Sequence, residues 1–250
     1  MRSLPLESQI RERYEMVLAS MSQAARDVGR DPGEVRLVVV TKTHPVETVQ
    51  AALAAGVRCF GENYAEEAVD KIQRLVLAGE GVSNVAWHMI GHVQSRKAAL
   101  IPPHFDLLHS LDSVKLAQRL NDFAGSRGGR FPVLLQLNVS GEESKFGMPA
   151  WQENQQQPLF ARISQIAVFS NLEIRGLMTI PPFFDHPELA RPYFRKLQAW
   201  RALLVQAFPQ ICWDELSMGM SGDFQVAIQE GATLVRVGTA ILGARTVSSQ

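Results

Sequence analysis

The chain has 250 residues, 46% hydrophobic and 20% charged, with Gly 18 and Pro 13 close to average usage. That composition excludes disordered, collagen-like and low-complexity classes, and a globular chain of this length buries on the order of three quarters of its unfolded surface, enough for a core without disulfides or a structural metal. Lys plus Arg is 25 and Asp plus Glu is 25, so a formal net charge of zero offers no basic field for nucleic acid or an anionic membrane.

Residues 7–28 place Ile10, Tyr14, Val17, Leu18, Met21 and Ala25 on one stripe at helical spacing. Charges at Glu7, Arg11, Glu12 and Arg13 fall where a secretory leader needs an unbroken apolar stretch. A packed amphipathic helix is expected, ending at Gly29 and the Asp31-Pro32-Gly33 turn. The longest aliphatic run, 37–40, is far short of a membrane span. Cys59 and Cys212 fit no metal-ligand spacing and read as buried thiols of a reduced compartment. A soluble, cytoplasmic protein is expected.

Beyond the turn, short runs rich in β-branched residues alternate with longer stretches of helical period. Runs at 35–40, 57–60, 85–90, 105–109, 131–139, 172–180, 213–218 and 233–237 read as strands. Helices are expected at 45–55, 63–77, 93–101, 113–124, 150–169, 187–208 and 222–230, with an eighth in the tail after Gly238. Pro45 suits a first helical position and Asp112 an N-cap. The Gln-rich patch at 152–157 is expected to decorate the solvent face of a helix start, and 78–84 and 181–187 read as loops. Strand–helix alternation behind one extra N-terminal helix fits α/β architecture as a single (β/α)8 TIM barrel domain over residues 1–250. A doubly wound sheet would carry a Gly-rich fingerprint after its first strand, which here ends VVTKT without glycine.

Barrel chemistry gathers at the C-terminal ends of the strands. Lys42 follows the first run directly. In a partly dry mouth its ammonium loses solvation, and the free amine can attack a carbonyl; an ordinary surface lysine is the alternative. The segment SMGMSGD at 217–223 then opens a helix. Gly219 and Gly222 let the backbone approach a ligand, Ser221 offers a hydroxyl, and the helix start offers unpaired N–H groups, which together read as a phosphate cradle. Gly238 and Thr239 supply a second such end, and two ordinary capped turns are the alternative. Arg236 lies inside the eighth run and needs a partner there, either an anion or acceptor at the mouth or a structural glutamate. His88 and His92 stand four apart with Gly91 between them, which suits hydrogen-bonded histidines near the rim better than a metal pair. No metal site is expected, and no Gly-x-Ser-x-Gly, Walker A or Rossmann motif occurs.

The stretches VVVTKTHP at 38–45, FGENY at 60–64, WHMIGHVQSRK at 87–97, SGEESKFGM at 140–148, GLMTIPP at 176–182 and SMGMSGDFQVAIQEGATLVRVGTAILG at 217–243 resemble the pyridoxal phosphate homeostasis protein family. That family consists of single-domain relatives of the barrel half of bacterial alanine racemase. The resemblance implies that Lys42 forms an internal aldimine with pyridoxal 5′-phosphate, that Ser221, Gly238 and Thr239 hold the phosphate, and that Arg236 faces the pyridine nitrogen. It also implies pocket-lining roles for Asn63 and Met178. Val93 and Arg96 stand where the family usually has Leu and Asn. Lys145 is a family feature, although loop chemistry alone reads it as a solvated lysine.

The implied role is a non-catalytic carrier, expected to be a monomer, that buffers a reactive aldehyde and delivers it to apo-enzymes. A pyridoxal-phosphate-dependent amino-acid racemase is the alternative. Arg236 makes the ring a weaker electron sink than a carboxylate partner would. The chain also ends seven residues after Gly243, which leaves no room for the second domain that supplies a catalytic tyrosine in the racemases. A Schiff-base aldolase acting on a sugar phosphate is a third reading.

Overall fold

The computed structural model describes residues 5–79, 81, 84–125 and 128–243. Its strands are β1 (Arg36–Val40), β2 (Cys59–Glu62), β3 (Ala86–Met89), β4 (Leu107–Leu111), β5 (Phe131–Asn138), β6 (Met148–Pro149), β7 (Leu172–Met178), β8 (Glu215–Ser217) and β9 (Leu234–Val237). Eight of them run parallel in the order β4-β3-β2-β1-β9-β8-β7-β5, and pairing of β4 with β5 closes the ring. The expected (β/α)8 barrel is therefore present. The short β6, which pairs with β5, has no counterpart among the expected strands.

Period-two alternation sorts the strand side chains onto two faces. Val39, Phe60, Met89, Leu108, Leu135, Leu177, Leu216 and Val235 join the main core between sheet and helices. Val38, Leu107, Leu134, Met178 and Leu234 form a separate apolar layer in the lumen. Both faces are dry, so the strands read as nearly continuous apolar runs, as parallel strands covered by helices do.

The helices are α1 (Leu6–Arg26), α2 (Val46–Ala54), α3 (Ala65–Leu77), α4 (Ile101–His104), α5 (Val114–Ala124), α6 (Gln156–Ala167), α7 (Arg191–Ala207), α8 (Phe224–Gln229) and α9 (Thr239–Leu242). The extra helix α1 lies outside the ring against α2, α8 and α9 and buries Ile10, Val17, Met21, Ala24 and Ala25. Leu18 is exposed instead of belonging to the stripe, because at 3.6 residues per turn it sits about 80° round from Ile10.

The helix expected at 93–101 is a 3-10 segment, Ser95–Leu100, running into α4. Pro102 and Pro103 supply no N–H there, so an α-helical ladder cannot run through. Ser113 caps α5 in place of Asp112, its Oγ accepting the Leu116 N–H at 3.3 Å. Gln152 and Gln155 form a reciprocal capping pair at the turn before α6, so part of the Gln-rich patch closes a helix start. Pro45 precedes α2 instead of opening it. No described helix is long and apolar enough to cross a membrane.

Candidate functional site

A cavity of about 280 Å3 opens at the C-terminal mouth of the barrel, with Val40, Ile90 and Ile180 on its apolar side and polar groups from the turns after β1, β2, β8 and β9. Lys42, Asn63, Ser221, Arg236, Gly238 and Thr239 all line it. Met178 does not; its fully buried side chain packs in the luminal layer with Val38 and Leu134. The volume falls just below the ~300 Å3 at which ligand pockets usually start. A cleft of about 670 Å3 at the opposite end is lined by charged groups, among them Arg36 and Glu215, which pair with each other. It lies at the N-terminal ends of the strands, where barrels place stabilising contacts.

The turn after β1 puts Lys42 at the mouth. The Thr41 carbonyl accepts the His44 N–H at 3.1 Å, and Thr43 sits at a φ of 62°. That left-handed conformation costs about 1–2 kcal/mol for a residue with a Cβ, more so when it is β-branched. A buried polar cluster holds the turn in place. Glu67 Oε1 accepts the Thr43 N–H at 2.7 Å, and Lys71 Nζ donates to the Thr41 carbonyl at 2.8 Å, to Glu62 Oε1 at 2.9 Å and to Glu67 Oε1 at 2.5 Å. Thr41 Oγ1 donates to Glu62 Oε1 at 2.7 Å. Burial pushes the Glu62 carboxyl up, and the Lys71 ammonium and the Thr41 hydroxyl pull it back.

Asn63 follows β2, and its placement depends on Gly91. A Cβ on Gly91 would come within 2.2 Å of the Asn63 carbonyl oxygen, so this crossing of two backbones tolerates only glycine. Asn63 Oδ1 is buried with no partner among the described residues. Such an atom costs ~1–3 kcal/mol unless a ligand or water donates to it.

The β8 and β9 turns meet where the Gly238 N–H donates to Ser221 Oγ at 3.3 Å. Gly219 has a φ of +92°, and a Cβ there would lie 2.6 Å from the Ala227 Cβ, so the first turn also needs a glycine. Asp223 Oδ1 accepts the Met220 N–H at 2.6 Å and steadies the same turn. Burial pushes the Asp223 carboxyl up, against the pull of the Met220 N–H and the nearby Arg236. Gly222 has open space around it, and the amides of Thr239 and Ala240 in the first turn of α9 have no intrahelical acceptors. Hydroxyl, glycine backbone and free amides together suit a phosphate.

Arg236 is buried on β9 and reaches the cavity from below. Its Nη2 donates to the Thr179 carbonyl at 2.9 Å and its Nη1 to Ser217 Oγ. The partners are thus a carbonyl and a hydroxyl, not a glutamate. Burial pushes its pKa down to about 10, so it carries its charge at neutral pH.

The two histidines of 87–97 part company. His88 lies inside the barrel with its Nδ1 3.0 Å from His109 Nε2, and burial pushes its pKa down to about 3. His92 stands at the mouth, where Nδ1 meets Asp112 Oδ2 at 3.0 Å and the ring stacks on Phe146 at 3.7 Å. Only His92 is therefore near the rim. Neither thiol is fully buried as expected: both are partly buried, Cys59 with its pKa pushed up to about 12 by desolvation and Cys212 donating to Asp214 at 2.8 Å. Lys145 is half-buried and anchored, not freely solvated: its Nζ bonds Glu142 at 2.6 Å and the Ile180 carbonyl at 3.3 Å.

Sequence reasoning gave no role in the site to Glu62, Glu67, Lys71, His109 or Ser217. One signal was available. Lys71 stands between Ala68 and Leu75 on the buried stripe of α3, a core position where a lysine needs a buried partner.

Residues 18–246 match the family model described as alanine racemase, N-terminal domain. The pyridoxal phosphate homeostasis protein of Vibrio alginolyticus is 41% identical over 241 residues, covering 96% of this chain and 100% of the relative. That of Vibrio cholerae is 42% identical over 241 residues, covering 96% and 98%. Among solved structures, PipY of Synechococcus elongatus with pyridoxal phosphate bound is 35% identical with a TM-score of 0.78, over 94% of this chain and 100% of that one. Alanine racemase from Bartonella henselae is 16% identical with a TM-score of 0.64, over 97% of this chain and 61% of that one, a likeness of fold. The chain belongs to the alanine racemase N-terminal domain family and, within it, to the pyridoxal phosphate homeostasis proteins.

Proposed function

We propose that the protein binds pyridoxal 5′-phosphate at the mouth of its barrel and serves its intracellular homeostasis, holding the cofactor covalently but reversibly and passing it to apo-enzymes. One observation carries the reading: an amine, a buried guanidinium and two glycine-rich turns converge on a single cavity of about 280 Å3. The solved relative with the same cofactor bound supports it. Pyridoxal phosphate supplies an aldehyde that a primary amine captures, with the aldehyde oxygen leaving as water. Lys42 provides that amine, and the turn beneath it fixes where the amine stands. Ser221, Gly238 and Thr239 take the phosphate, Arg236 faces the far side of the ring, and the orphaned Asn63 Oδ1 accepts from a donor on the ligand. Met178 acts from beneath, by shaping the luminal layer on which the pocket floor rests.

The test is borohydride reduction of protein incubated with pyridoxal phosphate, followed by peptide mass spectrometry. A phosphopyridoxyl group on Lys42, absent from Lys42→Ala, is expected, and an unmodified Lys42 would overturn the reading. Loaded protein should reconstitute an apo-enzyme. Failure under conditions where the free cofactor succeeds would remove the delivery role. Deuterium from solvent is expected to stay out of the α-carbon of alanine, and wash-in would instead establish racemase chemistry.

A further inference from the structure

Below the cavity, four side chains from four different strands stand in a polar file across the lumen. Arg236 on β9 donates from Nη1 to Oγ of Ser217 on β8, and that Oγ lies 2.8 Å from Nδ1 of His109 on β4. His109 Nε2 lies 3.0 Å from Nδ1 of His88 on β3. All four residues are at most 4% exposed.

Donor and acceptor chemistry gives the file a direction. A guanidinium only donates, so Ser217 Oγ must accept from Arg236. The hydroxyl then has one proton to place, and the acceptor present for it among the described residues is His109 Nδ1. His109 therefore carries its proton on Nε2 and donates to His88 Nδ1. His88 in turn carries its proton on Nε2 and turns it toward the sulfur of Cys59, 3.8 Å away. The opposite direction would strand the Ser217 proton in a dry interior, at a cost of about 1–3 kcal/mol. Both rings must stay neutral, since a doubly protonated His109 would set N–H against the serine proton. Their surroundings agree: the groups facing the pair are Arg236, Arg36 and the neutral thiol of Cys59.

We propose that Ser217, His109 and His88 are positioning residues for Arg236, a one-way hydrogen-bond file that, with the Thr179 carbonyl, ties down both Nη atoms and fixes which N–H groups of the guanidinium face the cavity. The inference deepens the cofactor reading above and rests on it. A guanidinium held by neutral acceptors keeps its full charge and a single orientation toward the ligand ring, whereas a loose one would share its donors with water and trade orientations. Ser217 and the histidines touch no ligand and act only through Arg236.

The experiment has two arms. Imidazole 15N shifts of the cofactor-free protein report the tautomers directly, and both His88 and His109 are expected as neutral Nε2–H forms at pH 7. Titration with pyridoxal phosphate then compares Ser217→Ala with Ser217→Thr, which keeps the hydroxyl. The alanine variant is expected to bind about tenfold more weakly and to shift the visible absorption of the loaded protein, and the threonine variant to retain both. An Nδ1–H tautomer at His109, or a Ser217→Ala protein that loads with wild-type affinity and spectrum, would overturn the file. Wild-type protein showing the Nε2–H tautomers yet taking up no pyridoxal phosphate would overturn the cofactor reading instead.

Discussion

Thr43 occupies a backbone region that β-branched residues avoid, and the groups that keep it there are Glu67 and Lys71 of α3. Lys71 is the hinge of this arrangement. Its ammonium is almost wholly buried with three acceptors, while Glu62 is fully buried with only one oxygen satisfied. Removing one member of such a pair leaves an uncompensated charge and costs about 3–5 kcal/mol. Lys71→Met is expected to lose stability on that order in urea unfolding at pH 7, and Lys71→Met with Glu62→Gln to recover at least half of it. A loss below about 1 kcal/mol would mean that Glu62 is already protonated in the folded protein. Lys71→Met should also slow covalent capture at Lys42, since the turn loses its grip on the Thr41 carbonyl.

Among the elements, the strands and most helices were legible because their signals are local. Short, nearly continuous apolar runs mark β1 to β5 and β7 to β9, and the 3.6-residue period marks α1, α3, α5 and α7. The misplaced ends follow from competition the pattern does not display. Ser113 outbid its neighbour Asp112 for the cap because Asp112 bonds His92, a residue 20 positions away. At the β3 end, the crossing of Gly91 and Asn63 sets a testable limit. Gly91→Ala would force the Asn63 backbone aside and is expected to cost about 2–3 kcal/mol, as overpacking in a dense site does. Gly222→Ala, whose Cβ meets nothing within 4 Å, is expected to stay within about 0.5 kcal/mol of wild type. Equal melting temperatures for the two variants would show that the 62–63 segment yields freely.

Over the molecule as a whole, the buried histidine pair links stability to pH. Burial holds His88 near a pKa of about 3 and His109 well below the usual value, so both stay neutral in the fold while an unfolded chain protonates them below about pH 6.5. The unfolded state then binds more protons, and stability falls as pH drops through 6.5 toward 3, by up to ~1.4 kcal/mol per pH unit for each ring. Glu62, Asp112 and Asp223, each raised by burial, act in the opposite sense because the folded state takes up their protons first. Comparison with His88→Leu isolates the His88 share of the histidine contribution. The wild type is expected to lose more stability than this variant between pH 6.5 and 5 in denaturant titrations, and parallel pH curves would contradict the neutral pair.

From the sequence alone came the alternation of strands and helices, the closed barrel, the positions of Lys42, Ser221, Gly238 and Thr239 just past strand ends, and that of Arg236 inside the last strand. All of these depend on runs of a few residues and on turn chemistry that each segment carries within itself. Tertiary structure decided who meets whom across the lumen and under the turns: Glu62 with Lys71, and Arg236 with Ser217, His109 and His88. Strand register brings the luminal partners together, Val38 beside Arg236 and Met178 beside Ser217, whereas Lys71 reaches Glu62 from α3. A slip of one residue in a strand would turn its luminal side chains to the other face of the sheet, and no local pattern in the chain records which register the closed ring selects.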